Sequence, residues 1–198
     1  MGTDISKNTQ KTLLAIARAA IAQKLNIEFE NPLASPEKID PQARELLDKN
    51  YGIFVSLHIN KELRGCIGVI ETQKRLAKTL PEHAIYAAFN DSRFNPLRPD
   101  EFDKIKIEIS LLTPPKPLEY KDAQDLLNKL IPLKHGVVIR KSFFSATFLP
   151  QVWEQIPAKE DFLSHLCAKA GLDSNEWKRG DIKITTYEAE VFSDTPEA

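Results

Sequence analysis

An α+β fold is the class this sequence predicts, and two observations predict it. The strand-like runs alternate with period two and are joined by short polar turns, which favours hairpins over crossovers. The helical runs lie among them without the regular βαβ alternation that a doubly wound sheet needs, so mixed or antiparallel sheets with packed helices are expected. With 198 residues and 42% hydrophobic composition the chain can bury a substantial core, and one compact unit over 1–198 is the default organisation.

From about Thr9 to Leu25 the sequence is rich in Ala, Leu, Lys and Gln, with Leu14, Ala17, Ile21 and Leu25 at helical spacing, which predicts an amphipathic helix. Two prolines in "NPLASPEKI" break it. Asp40 as N-cap and Pro41 at the first helical position then start a short second helix. "YGIFVSLHI" alternates, with Ile53, Val55, Leu57 and Ile59 on one face and Phe54, Ser56 and His58 on the other. A three-residue loop, Asn60 to Glu62, returns the chain as "LRGCIGVI", so that Leu63, Gly65, Ile67 and Val69 extend the apolar face. In this register Ser56 lies across from Cys66 and His58 across from Arg64.

"TQKRLAKTLPEHAIYAAFNDSRF" reads as helical to near Asn90, with Pro81 imposing a kink or restart and Ala84, Ala87 and Ala88 permitting close packing. "KIKIEISLL" is a strand with Lys104, Lys106, Glu108 and Ser110 on its polar face, stopped by "TPPKPL". A short helix from Asp122 to Leu130 leads into "HGVVIRKSFFSATFLP", a hairpin turning around Lys141 and Ser142. "KEDFLSHLCAKAG" is a helix with Gly171 as its stop, and "DIKITTYEAEVF" is a last strand before a polar tail.

Twenty-seven Lys and Arg against 28 Asp and Glu leave a net charge of −1, which argues against a nucleic-acid or anionic-membrane surface. No apolar run approaches membrane-spanning length and the first residues lack a signal-peptide pattern, so a cytoplasmic protein is expected. The sequence contains no CxxC, HExxH, P-loop or GxGxxG, so no cofactor is expected. Four histidines without ligand spacing argue against a metal site.

"ELRGCIG", "AAFNDSRFNPL", "KIEISLL" and "ATFLPQVWEQIPAKEDFLSHLCAKAGL" together resemble the AMMECR domain family, protein A of the AmmeMemoRadiSam system, in order from roughly Leu13 to Phe192. The resemblance implies a single domain with its core at about 9–192, built of a larger and a smaller subdomain. It also implies association with a Memo-like protein and a radical SAM protein. No biochemical activity comes with it.

The candidate site is the "LRGCIG" strand, where Gly65 and Gly68 leave backbone room for an approaching group. Arg64 suits a carboxylate or phosphate on a small anionic ligand, or else forms a structural ion pair with Asp91 or Glu108. Cys66 reads as a nucleophile with His58 as base, or as a small buried hydrophobe. Ser56, Glu108, Asp91 and Arg93 join the ligand-binding candidates, the last two also as helix-end caps. Gln151, Trp153 and Glu154 read as a partner-docking surface or as an aromatic core with polar neighbours. The leading function is an accessory or binding protein; an enzyme using Cys66 and a nucleic-acid-binding module are the alternatives. Cys66 and Cys167 stand on a strand and a distant helix, so both thiols are expected to titrate in a denatured, unreduced sample; a count of zero contradicts this.

Overall fold

A computed structural model describes residues 5–194; the first four residues and the end of the polar tail lie outside the described residues. The elements run α1 (Lys7–Leu25), α2 (Pro41–Leu47), β1 (Gly52–Ile59), β2 (Glu62–Val69), α3 (Leu76–Phe89), β3 (Lys106–Leu112), β4 (Lys116–Pro117), α4 (Ala123–Lys129), β5 (Gly136–Lys141), β6 (Phe144–Phe148), α5 (Lys159–Lys169), β7 (Lys183–Tyr187) and β8 (Ala189–Ser193). They form an α+β protein with two four-stranded sheets, and the chain separates into two compact units, residues 5–112 with 190–194, and Thr113–Ala189.

In the first unit Ser6 caps α1 by accepting from the Thr9 amide, and Asn26 ends it in a left-handed conformation. Asp40 caps α2 through the Ala43 amide and also accepts from the Thr9 hydroxyl at 2.7 Å, which ties the two helix starts together. The sheet order is β2-β1-β3-β8, and Ile53, Val55, Leu57, Ile107 and Ile109 are buried in the same core as the α1 and α3 stripes. The sequence pattern therefore places this apolar face correctly.

The β1–β2 loop is shorter than expected. Asn60 and Lys61 both take positive φ, 53° and 69°, which makes a two-residue turn and sets Ile59 opposite Glu62. A bulge then restores the expected register: His58 faces Leu63, Leu57 faces Gly65, and Ser56 faces Cys66. Arg64 is the extra residue and does not pair with His58. The turn chemistry decides this, because a tight two-residue turn shifts the pairing by one, and the apolar pattern beyond it demands the shift back.

α3 runs as one helix through Pro81, so of the kink or restart expected there the restart does not occur. Leu76, Leu80, Ala84, Ala87 and Ala88 are buried along it, and this packing offsets the one backbone bond that proline removes. Its last turn comes so close to β2 that a Cβ on Gly65 would lie 2.1 Å from the Ala87 carbonyl oxygen. Glycine at 65 is thus the condition for this helix–strand contact.

The second unit has sheet order β4-β7-β5-β6. Its core is built on Trp153 stacked against Phe162, ring centroids 3.6 Å apart, with the indole N–H donating to the His135 carbonyl at 2.7 Å. "TPPKPL" contributes the two-residue strand β4 instead of only stopping β3. The last predicted strand divides into β7 and β8, one in each sheet, at Glu188, whose backbone is bonded to Thr113. Burial pushes the Tyr187 phenol up to about 12.

Gly65→Ala is expected to destabilise the protein by about 3 kcal/mol, because backbone must move to admit the methyl group. Denaturant unfolding of the variant beside wild type measures it, and equal midpoints would contradict the contact.

Candidate functional site

β2 is an edge strand, so half of its backbone groups point away from the sheet and need partners. At Cys66 the loop after α3 supplies them. Asp91 accepts from the Cys66 amide at 2.9 Å, and the Arg93 guanidinium donates to the Cys66 carbonyl at 3.2 Å. The two side chains also pair with each other, Arg93 Nη2 to Asp91 Oδ2 at 2.6 Å. The bonds from Arg93 hold the buried Asp91 carboxyl well below the usual carboxylate range, aided by the Cys66 amide. Asp91 and Arg93 therefore brace an edge strand, and the arginine remains more than half exposed.

The bulge at Arg64 aims its fork along the same loop. Nε and Nη2 donate to the two oxygens of Glu101 at 2.8 and 2.9 Å, while Nη1 and Nη2 reach the Asn95 and Pro96 carbonyls. The ion pair expected with Asp91 or Glu108 forms with Glu101 instead. The Arg64 bonds lower the Glu101 pKa, and Glu101 also accepts from the Arg98 amide. Around these groups lies a polar pocket of about 370 Å³ lined by Arg64, Arg93, Phe94, Asn95, Pro96, Arg98 and Glu101. Arg93 sits 5.4 Å over the Phe94 ring.

Ser56, His58, Cys66 and Glu108 occupy the other face of the first sheet. Cys66, Ser56 and Glu108 make one row across β2, β1 and β3, and the Ser56 hydroxyl donates to the Cys66 sulfur at 3.1 Å. His58 lies in the next row, between Leu63 and Lys106, and so stands diagonal to Cys66. The Cys66 thiol thus has Ser56 for its immediate neighbour, as the sequence register placed it, and His58 in the adjoining row. Gly68 does not open space for a ligand, because the Phe54 ring lies where its Cβ would be, 2.3 Å away. Trp153 is 1% exposed and has no surface to offer a partner; Glu154 is exposed and Gln151 half-buried. No group of three or more His, Cys, Asp and Glu among the described residues is placed to hold a metal ion.

Glu101, Asn95, Phe94 and Arg98 were not among the sequence candidates. A signal for Glu101 exists: Pro99 at the first position of a helical turn and an acid two residues on mark a capped start. What it pairs with depends on a strand bulge more than thirty residues earlier.

The sequence profile of the AMMECR1 family matches residues 14–192. Protein MK0488 of Methanopyrus kandleri is 39% identical over 98% of this chain and 92% of its own length. Protein MJ0810 of Methanocaldococcus jannaschii is 37% identical over 84% of each. Among solved structures, the uncharacterised protein PH0010 from Pyrococcus horikoshii superposes with a TM-score of 0.82 at 31% identity, covering 97% of this chain and 94% of that one. No helix among the described residues is long and apolar enough to cross a membrane.

Asp91→Asn is expected to cost about 2 kcal/mol at neutral pH, since it weakens the brace on Cys66 and leaves Arg93 unpaired. Because the native carboxyl titrates below its ordinary value of 3.8, its contribution is complete above that value and is lost as pH falls through the native one. The stability gap between wild type and variant should therefore narrow on acidification below about pH 4, which guanidinium unfolding at a series of pH values measures.

Proposed function

The chain belongs to the AMMECR1 family, and from that premise we propose that it is an accessory binding protein, working beside a Memo-like and a radical SAM protein, that recognises an anionic group in its arginine pocket. The observation that carries this reading is the convergence of three guanidinium groups on one small polar pocket. Three guanidinium groups, of Arg64, Arg93 and Arg98, line it against one carboxylate, Glu101, whose two oxygens already accept from Arg64 and from the Arg98 amide. Arg64 is fixed by this pairing and acts as a wall. Arg93 and Arg98 are each paired outside the pocket wall, with Asp91 at 2.6 Å and with Asp100 at 3.0 Å, yet both side chains are more than half exposed, so their guanidinium edges can still donate to an incoming carboxylate or phosphate.

Catalysis at Cys66 is the weaker reading. The Cys66 sulfur is hydrogen-bonded by Ser56, and His58 stands diagonal to it. Binding by a preorganised pocket needs none of the proton transfers that a nucleophile would require.

Calorimetric titration with inorganic phosphate and with succinate tests the proposal. Arg93→Gln and Arg98→Gln should each weaken binding by about tenfold, the loss of one charge-assisted pair, while Cys66→Ser leaves it unchanged. The Memo-like protein should bind wild type more tightly than Arg93→Gln. Unaltered anion binding in both arginine variants, or loss of binding in Cys66→Ser, would transfer the function to the thiol.

A further inference from the structure

Two features outside the arginine pocket are complementary to each other. The first is the tip of the β5–β6 hairpin, where Phe143 is 101% exposed and Phe144 is 48% exposed. The turn that lifts them contains no glycine, although tight hairpin turns favour one. Ser142 takes φ 52° instead, so the projecting aromatic is held by a backbone conformation that few side chains adopt. Beside the tip Arg140 and Lys183 face each other across β5 and β7.

The second feature is a groove of about 810 Å³ in the first unit. Its apolar wall is formed by Leu14, Ala15, Ile27, Phe29 and Phe102, with Phe29 set edge-on to Phe102 at 6.2 Å and still 40% exposed. Arg18 lies along it but is paired with Asp194 at 2.6 Å. The exposed charges that remain on its rim are Lys11 and two acids, Glu28 and Asp103.

We propose that the Phe143 tip of one copy docks in the Phe29–Phe102 groove of a second copy of this chain. An aromatic edge entering an aromatic-walled slot gains both buried area and edge-to-face contact. The cation Lys183 then approaches the acids Glu28 and Asp103, which fixes the orientation of the tip. One copy carries one tip and one groove, so two copies can join through a single tip-in-groove contact or through two reciprocal ones.

Sedimentation velocity of the full chain over a range of concentrations tests this. Wild type should self-associate as concentration rises. Phe143→Asp removes the tip and Ala15→Trp fills the groove, and each should be monomeric with an unchanged circular dichroism spectrum. An equimolar mixture of the two should form a one-to-one dimer and stop there, since only one intact tip and one intact groove can meet. Lys183→Glu should weaken wild-type association by about tenfold, and Asp103→Lys in the partner copy should restore it. The two charge variants lie on the surface and keep the test decisive if Ala15→Trp fails to fold. A wild type that stays monomeric, association that survives Phe143→Asp, or a mixture that remains monomeric overturns the proposal.

Discussion

The backbone of Cys66 presents an amide and a carbonyl outward from the edge of the first sheet, and the arrangement around the "LRGCIG" strand depends on how Asp91 and Arg93 satisfy them. Buried or half-buried backbone groups without partners are costly, and an open strand edge invites pairing with other chains. Closing this edge with a short loop places that loop, and with it Phe94, Asn95, Pro96 and Arg98, directly beside the strand. The pocket is thus a by-product of edge closure. It exists because the residues that protect the strand must come from somewhere, and they come from the segment that follows α3.

The same solution recurs on the opposite side of this unit. Asp194 accepts from the Ile107 amide at 2.6 Å, while Arg18, paired to Asp194, donates to the Ile105 carbonyl at 2.8 Å. In both places an aspartate grips an N–H, an arginine grips a nearby C=O, and the pair neutralises itself. Such a unit is stable without adding net charge to the surface, in keeping with an overall charge of −1. The second unit uses a lone cation instead: Lys169 donates to the Thr147 carbonyl on the edge strand β6 and lies 4.9 Å over the Phe148 ring. Its cohesion rests on aromatic packing around Trp153.

This economy of charge decides what the motif residues can do. Arg64, the most conspicuous cation in the sequence motif, is fully engaged, with four bonds to protein oxygens. Arg93 braces the strand and still projects into the pocket. Rigid neighbours thus hold the arginines that remain accessible, and little ordering is left to do when an anion arrives.

The sequence by itself determined the α+β class, the apolar face of β1 through Ile53, Val55 and Leu57, the cap at Asp40, and the row that joins Ser56 to Cys66. Each of these follows from local rules of period and capping that act within a few residues. Only the tertiary structure decided that Arg64 meets Glu101, that Gly65 and Gly68 are filled by the Ala87 carbonyl and the Phe54 ring, and that Trp153 is core. Those outcomes turn on a single-residue bulge, on the close approach of a helix to a strand, and on which of several carboxylates lies within reach of a guanidinium. Side-chain partners across tens of residues are set by packing in three dimensions, and one-dimensional periodicity carries no information about that distance.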